Sequence, residues 1–157
     1  MISVRTATAD DCALLWRWAN EPAVRAAAFN SQAIPWDDHV EWFNERLASP
    51  DAVIYIAVDD GMPVGQVRFD IDPAGGVQVD VSVAKEHRGR GLGAAALRSA
   101  VRAFAARRSA PIAARIRPEN EASLRAFSSA GFVRAGVVRV GDAEAILMTL
   151  PAEQAGA

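Results

Sequence analysis

The sequence predicts an α/β fold with a central mixed, mostly antiparallel sheet and helices on both faces. Three apolar segments of strand length follow one another at 53–58, 64–71 and 77–83, and turn-forming residues separate them, as in an antiparallel meander. The third segment runs into a glycine-rich loop and then a helix with one apolar stripe, at 92–107. The chain has 157 residues, of which 51% are hydrophobic, so we expect a single domain over 1–157 around one core.

The elements ahead of the meander are a strand and three helices. The strand covers 2–7, and an aspartate of the pair Asp10-Asp11 caps the helix that follows. Pro22 is well placed to begin a short helix at 23–28, because proline is favoured in the first helical turn. A third helix begins near Pro35 and carries the side chains of His39, Trp42, Phe43 and Leu47.

The elements after the long helix alternate again between strand and helix. Pro111 ends the long helix, and a short strand follows at 112–116. Asn120 caps a helix that runs to about residue 130 and is closed by Gly131. The remaining residues form the two strands of a hairpin and a frayed tail, at 132–140, 145–150 and 151–157.

The composition of the chain restricts the kinds of ligand and cellular location to be expected. There are 17 basic and 19 acidic side chains, so the net charge of −2 gives no overall field that favours nucleic acid or an anionic membrane. Cys12 is the only cysteine, which excludes an internal disulfide, and no metal site is expected. The first residues lack the layout of a signal peptide, and no segment is apolar over a membrane-spanning length. We therefore expect a cytoplasmic protein with a small-molecule ligand.

The glycine-rich loop has the properties of an anion site. Gly89, Gly91 and Gly93 allow the backbone to approach a ligand closely, and the first amides of the following helix have no partners within the helix. The helix dipole adds partial positive charge, and Arg88 and Arg90 bring full charges that suit phosphate oxygens. A pyrophosphate is the expected ligand.

Other interpretations of this loop fit less well. An ATPase-type phosphate loop ends in Gly-Lys-Ser/Thr, whereas this chain has Gly93-Ala94-Ala95. The spacing Gly89-x-Gly91-x-x-Ala94 does satisfy the dinucleotide fingerprint, but the acid expected about 20 residues later is missing near Ala113 and Ala114. A plain turn with solvated arginines is the remaining alternative.

The loop Arg-Gly-x-Gly-x-Gly-Ala, its long helix and the segment Pro118-Glu119-Asn120-x-x-Ser123-x-x-x-Phe127-x-x-x-Gly131-Phe132 together resemble the GNAT superfamily of acyl-CoA-dependent N-acyltransferases. The resemblance implies acetyl-CoA as the cofactor and CoA as a product. It also implies that the loop holds the pyrophosphate and that strand 77–83 pairs with the pantetheine arm. The residues implied to bind the cofactor are Val81, Val83, Arg88, Gly89, Arg90, Gly91, Leu92, Gly93, Ala94, Asn120, Ser123 and Phe127.

A second set of motifs lies in the N-terminal half, at 15–25, Phe29-Asn30-Ser31, Ile34-Pro35-Trp36, His39, Trp42-Phe43 and 64–70. These segments are similar to the pseudaminic-acid-pathway N-acetyltransferases, which acetylate a UDP-linked 4-amino-4,6-dideoxy sugar for flagellin glycans. The resemblance implies a UDP-amino sugar as acceptor. The opening Trp-Arg-x-x-Asn is also found in ribosomal-protein-type enzymes, so a protein N-terminal or small-amine acetyltransferase is the alternative. A homodimer is compatible with either.

Six residues are candidates for binding the acceptor. His39, beside Trp42, could contact a base or a sugar hydroxyl, or it could cap local backbone. Arg68 and Asp70 leave the same sheet face, where they could hold a diphosphate and an amine or form a structural ion pair. The loop residues Asn30 and Ser31 could bond a sugar or simply face water.

The chemistry requires a base or desolvation of the amine, because an amine with the reference lysine pKa of about 10.4 is protonated at neutral pH. Gln78, Asp80 and Ser82 share one face of strand 77–83, and Asp80 is the only base among them. With Asp80, Ser82 and Asn120 are the catalytic candidates, and Asn120 is implied to bond the cofactor or an amide through water. The backbone amide near Val83 could polarise the thioester carbonyl.

The general acid is the open part of the mechanism. Many family members have a tyrosine where this chain has Phe127, which cannot donate a proton, and Tyr55 lies on another strand. Ser123, Ser128 or water could serve, or the thiolate could leave unaided because the thiol pKa is near 8.5. A CoA-binding regulator without catalysis is therefore a further alternative.

Overall fold

The computed structural model describes residues 1–152, and in them it shows seven strands and five α-helices. Two single-turn helices precede α1 and α4, at Ala9–Asp11 and Lys85–His87. The elements are β1 (Ile2–Thr6), α1 (Cys12–Ala19), α2 (Pro22–Ala27), α3 (Trp36–Ala48), β2 (Ala52–Asp59), β3 (Met62–Ile71), β4 (Val77–Val83), α4 (Leu92–Arg107), β5 (Ile112–Ile116), α5 (Glu121–Ser129), β6 (Val133–Val140) and β7 (Ala143–Leu150). Of the tail predicted to be frayed, 153–157 lies outside the described residues.

The strands form one sheet in the order β1-β2-β3-β4-β5-β7-β6. Neighbouring strands are antiparallel except β4 and β5, which are parallel. The predicted mixed, mostly antiparallel sheet is confirmed. The turn predicted at 59–63 is shorter than expected, because Asp60 and Gly61 both have positive φ and close the β2–β3 hairpin within two residues.

Alternation along β3 divides the sheet into two faces. Val67 and Phe69 point to the face covered by α4, where the Phe69 and Phe104 rings stack with centroids 4.3 Å apart. The opposite face carries a smaller core that includes Leu15 and Phe43 of the N-terminal helices. Helices therefore cover both faces, and the polar residues of β3 lie on the N-terminal-helix side.

The parallel pair β4 and β5 creates a cleft beside the glycine-rich loop. The two strands pair only at Val77–Ile112 and Gln78–Ala113. Beyond Gln78 they separate, so the rest of β4 has no pairing from β5. On its other side β4 stays paired with β3 as far as Val83, and a Cβ at Gly65 would collide there with the carbonyl of Ser82.

No helix in the part of the chain that the structure describes combines the length and the apolar character needed to cross a bilayer.

Candidate active site

A cavity of about 1140 Å³ occupies the cleft between the diverging strands. One wall is formed by Val79–Val83 of β4 and another by Ala114–Arg117 at the end of β5. Residues of α1, α2 and the α2–α3 loop face it from the N-terminal side, and the glycine-rich loop reaches it from above the end of β4. The cavity therefore joins the predicted anion site to the predicted acceptor region.

The glycine-rich loop presents open backbone to this cavity. Gly89 has φ 81° and Gly91 has φ 72°, and a Cβ built on either would meet nothing within 4 Å. Gly91 is the N-cap of α4, and no side chain among residues 1–152 caps that helix. Because α4 has 16 residues and its first amides are uncapped, this helix end suits an anion. The loop thus fits the pyrophosphate that the sequence predicts for it.

The two loop arginines have different surroundings. Arg88 lines the cavity, with Nη2 donating to Glu21 Oε2 at 2.7 Å and Nε donating to the Val83 carbonyl at 3.0 Å. This hydrogen bond to Arg88 lowers the pKa of Glu21. Arg90 is more than half exposed, lies 3.3 Å from Asp59 and is not part of the cavity lining. The structure brings Arg88, but not Arg90, to the predicted phosphate site.

The catalytic candidates of β4 share the cavity wall with a residue of β3. Asp80 and Ser82 both line the cavity. Nε2 of Gln66 donates to Asp80 Oδ2 at 3.0 Å and to Ser82 Oγ at 3.2 Å. Gln66 is not among the residues predicted for the site, although its alternation with Arg68 on the same sheet face is visible in the sequence.

Arg68 is held in an ion-pair network at the edge of the cavity. Its Nε donates to Asp70 Oδ2 at 2.9 Å, and Arg46 of α3 donates to the other oxygen of Asp70 at 2.9 Å. The Arg68 guanidinium lies 5.2 Å from the ring centre of Trp42. Burial alone would lower the pKa of Arg68, but the charges of Asp80 and Asp70 outweigh it and raise that pKa.

This network answers the question left open for Arg68 and Asp70. Arg68 and Trp42 line the cavity, so this sheet face does border the cleft. Asp70 is outside the lining and has both carboxylate oxygens paired with arginines. The structure therefore places Arg68 in the cavity wall and Asp70 outside it, where the Asp70 carboxylate is an ion-pair partner of Arg46 and Arg68.

His39 borders the cavity but is only 3% exposed. Its Nε2 is 2.9 Å from the carbonyl oxygen of Cys12, so Nε2 carries the proton and donates. Its ring stacks on Phe43. Burial lowers the pKa of His39, more than the bond to Cys12 raises it. The backbone-capping alternative describes this geometry, because the Cys12 carbonyl occupies Nε2.

The polar pair Asn30 and Ser31 lies outside the cavity lining, contrary to the expected acceptor contact. Both are exposed, and Oδ1 of Asn30 accepts from the amide of Gln32. The apolar residues of the same loop, Phe29 and Ile34, face the cavity instead. The loop turns half-buried Phe29 and Ile34 toward the cavity and leaves Asn30 and Ser31 in water.

Asn120 and Ser123 line the cavity at the start of α5. Oδ1 of Asn120 accepts from the Ser123 amide at 3.2 Å, which confirms the predicted cap. Phe127 touches the cavity, but its ring is 2% exposed and packs against Phe132. Of the two serines considered as general acid, Ser123 lines the cavity and Ser128 does not. Tyr55 is buried away from the lining.

Arg117, which the sequence analysis also missed, connects the two walls of the cavity. It follows β5, and its guanidinium donates to the carbonyls of Ala28 at 3.0 Å and Phe29 at 3.4 Å. The guanidinium also lies 5.0 Å from the ring centre of Phe29. Arg117 therefore fixes the α2–α3 loop over the cleft. Within residues 1–152 no cluster of side chains could hold a metal ion.

Comparison with known proteins identifies the type of domain. Residues 2–133 match the family model described as an acetyltransferase (GNAT) domain. Over 138 residues the chain is 29% identical to the L-amino acid N-acyltransferase MnaT of Escherichia coli (strain K12), and the match covers 84% of this chain and 80% of that protein.

Solved structures share the fold. Aminoglycoside acetyltransferase AAC(6')-Ib, in complex with coenzyme A and kanamycin, matches with a TM-score of 0.85 at 24% identity, over 98% of this chain and 96% of that one. Spermidine N-acetyltransferase from Vibrio cholerae, in complex with CoA and spermine, matches with a TM-score of 0.85 at 16% identity, over 98% and 97% of the two chains. At these identities the likeness concerns the fold.

Proposed function

Because this chain belongs to the GNAT acetyltransferase family, we propose that it acetylates the free amine of a nucleotide-linked amino sugar, of the UDP-4-amino-4,6-dideoxy type used in flagellin glycans. The protein is an acetyl-CoA-dependent N-acetyltransferase, and CoA is its product. The observation that carries the choice of acceptor is Arg68, a cation placed in the cavity wall by Asp70 and Trp42.

The cofactor supplies an acetyl group that is activated as a thioester. The backbone of Gly89, Gly91 and Gly93 and the side chain of Arg88 would hold its pyrophosphate, because they are open to the cavity and carry positive charge. Val81 and Val83 of β4 would hold its extended arm by strand addition, since β5 does not pair with this part of β4.

The charges around the cavity support an acceptor that carries an anion. Its lining contains two aspartates, Asp38 and Asp80, and six arginines: Arg25, Arg68, Arg88, Arg115, Arg117 and Arg125. A polycationic acceptor would need carboxylates on several sides, whereas a sugar diphosphate suits guanidinium groups. Among these arginines, Arg68 is directly opposite Asp80 in the β3–β4 pairing. An acceptor with an amine and an anion could use both.

Asp80 is the residue we assign to the amine. An ammonium group cannot attack a thioester, so the amine must first lose a proton, and a carboxylate can accept that proton directly or through one water. Asp80 lines the cavity on the strand that would hold the cofactor, and Ser82 lies two residues further on the same face. The backbone amide near Val83 would donate to the carbonyl oxygen as negative charge develops there.

The departing thiolate has fewer partners. Phe127 has no proton to give, and the hydroxyl of Tyr55 is buried away from the cavity. Ser123 lines the cavity and uses its backbone amide, not its hydroxyl, in the Asn120 cap. We assign proton donation to Ser123 or to water, with Asn120 as a hydrogen-bonding residue for the cofactor.

A free amino acid is the second candidate acceptor. The relative with 29% identity is an L-amino acid N-acyltransferase. An amino acid places its amine next to its carboxylate, and Arg68 and Asp80 are direct cross-strand partners, whose Cβ atoms are about 5 Å apart in such pairs. The same two side chains could therefore bind it.

Thiol release from acetyl-CoA tests the proposal. The acceptors are a UDP-linked 4-amino-4,6-dideoxy sugar, L-methionine, spermidine, kanamycin and a peptide that begins with alanine, each at the same concentration. Release with the UDP-amino sugar alone supports the proposal. Release with L-methionine alone supports the second candidate, and release with the peptide alone supports the protein N-terminal alternative.

Controls separate amine acetylation from thioester hydrolysis. A UDP-linked sugar with a hydroxyl in place of the amine should release no thiol, and mass spectrometry should find one added acetyl group on the amino sugar. Turnover of spermidine or kanamycin in preference to the UDP-amino sugar would contradict the role given to Arg68. The cytoplasmic location and the homodimer stay predictions, and sedimentation analysis tests the latter.

A further inference from the structure

Gln66 is a polar residue of β3 that is 8% exposed and borders the cavity. It is paired with Ser82 across β3 and β4. The next pair on the same sheet face is Arg68 with Asp80. A buried amide costs free energy unless it forms hydrogen bonds, so its partners identify what it is placed to do.

Both partners of the Gln66 amide nitrogen are catalytic candidates. A side-chain NH2 group has two hydrogens, and the structure directs one to Asp80 Oδ2 at 3.0 Å and the other to Ser82 Oγ at 3.2 Å. A carboxylate can only accept, so the nitrogen, and not the oxygen, of the amide must face Asp80. The orientation of the amide is therefore fixed by chemistry as well as by geometry.

We propose that Gln66 is a positioning residue that holds the Asp80 carboxylate toward the acceptor amine. This inference rests on the proposed role of Asp80 as the base. Within residues 1–152, Gln66 is the only group that donates a hydrogen bond to the Asp80 side chain. Asp80 itself is exposed, so without this bond its carboxylate is free to change rotamer.

The position of Arg68 makes this restraint important. Arg68 faces Asp80 directly across the strand pair, and their charges attract. If Gln66 did not hold Asp80, the carboxylate could turn to Arg68 and form an ion pair. That pair would occupy both groups that the acceptor needs, the base and the anion-binding cation. Gln66 thus keeps the two opposite charges available.

The test is a double-mutant cycle between Gln66 and Asp80. The variants are Gln66→Met, which keeps the size and removes both hydrogen bonds, Asp80→Asn, and the two combined. Gln78→Met is the matched control, because Gln78 lies on the same sheet face of β4, two residues from Asp80, but outside the cavity lining. The readouts are kcat and the KM for the acceptor. The acceptor is the UDP-amino sugar, or L-methionine if the enzyme turns over only L-methionine.

Gln66→Met should lower kcat about tenfold, as expected for the loss of a hydrogen bond to a charged group. In the Asp80→Asn background the same change should lower kcat less than about twofold, because the residue it positions is gone. Gln78→Met should match the wild type. The dissociation constant for acetyl-CoA, measured by calorimetry, should stay within about twofold of the wild type in every variant, because Gln66 lies outside the glycine-rich loop. This measurement also detects a variant that is misfolded.

Three results would overturn the inference, and they distinguish its failure from a failure of the proposed function. If Asp80→Asn lowers kcat but Gln66→Met costs the same factor in both backgrounds, Gln66 acts independently of Asp80 and only the positioning role is wrong. If Asp80→Asn leaves kcat unchanged, the assignment of the base is wrong and the positioning role falls with it. A loss of acetyl-CoA binding in Gln66→Met would identify a purely structural role.

Discussion

Arg88 of the glycine-rich loop donates a hydrogen bond of 2.7 Å to Glu21, the residue whose side chain caps α2. The bond joins two parts of the cavity that are 67 positions apart in the chain. One part presents open backbone for an anion, and the other begins the helix whose residues Ala23, Val24 and Ala27 line the acceptor side. This ion pair therefore links the glycine-rich loop to the N-terminal helices on the other side of the cavity.

The first prediction concerns the two loop arginines. Arg88→Ala should raise the dissociation constant for acetyl-CoA about tenfold, because it removes a charge-assisted hydrogen bond from the phosphate site. Arg90→Ala is the matched control and should change it less than about twofold, since Arg90 pairs with Asp59 away from the cavity. Titration calorimetry with both variants measures this. Equal effects of the two substitutions would mean that lining the cavity does not distinguish the arginine that binds the phosphate.

The second prediction is a pH dependence of stability from His39. Burial lowers the pKa of His39 below its ordinary value of 6.5, so the folded protein holds the neutral ring while the unfolded chain binds a proton near that pH. The contribution of His39 to stability is therefore complete above pH 6.5 and is lost as pH falls through the lower folded value.

Urea unfolding of the wild type and His39→Gln at several pH values measures this effect. The variant should be less stable at neutral pH, because the ring packs on Phe43 and bonds Cys12, and the difference should shrink as pH falls. A difference that is constant with pH would show that His39 does not titrate on unfolding.

The sequence predicts those features of the site that depend on residues close together in the chain. The glycine spacing and the apolar stripe locate the loop and α4, and Asn120 caps α5 through a bond to an amide three residues away. The alternation at 67–70 places Arg68 and Asp70 on one face without any knowledge of the partners. Each of these features depends on a few consecutive residues.

The missed features depend on residues far apart in the chain. Alternation on β3 puts Gln66 on the same face as Arg68, but its contacts with Asp80 and Ser82 appear only when β3 and β4 are in register. Asn30 and Ser31 look like a polar binding loop, but Arg117, 88 residues from Phe29, fixes that loop with its apolar side inward. Burial of this kind is a property of the packed structure, and no local pattern encodes it.

The third prediction tests Arg68 as the anion ligand. Arg68→Met should raise the KM for the UDP-amino sugar about tenfold with a smaller effect on kcat, because the contact is made in the ground state and kept in the transition state. Arg46→Met is the control, since Arg46 also pairs with Asp70 but lies outside the cavity lining. Steady-state kinetics of both variants distinguish them, and an equal rise in KM would assign the effect to the ion-pair network as a whole.

The last prediction concerns the close approach of β3 and β4 beneath the site. A Cβ at Gly65 would collide with the Ser82 carbonyl, which is backbone and has no freedom to move aside. Gly65→Ala should therefore lower the free energy of unfolding by about 1–3 kcal/mol, the usual cost of overpacking. It should also lower kcat, because Gly65 precedes Gln66 and its neighbour across the strands is next to Ser82.

Gly93→Ala is the matched control, because the structure has room for a Cβ at Gly93. A Cβ there would lie 3.5 Å from Val83 and 3.6 Å from Ala126, which is ordinary contact, and alanine is favoured over glycine within a helix by about 1 kcal/mol. This variant should keep or increase stability. Urea denaturation of both proteins gives the comparison. If Gly65→Ala were as stable as Gly93→Ala, the β3–β4 pair would have room that the structure excludes, and the restraint on Gln66 and Asp80 would be weaker than inferred.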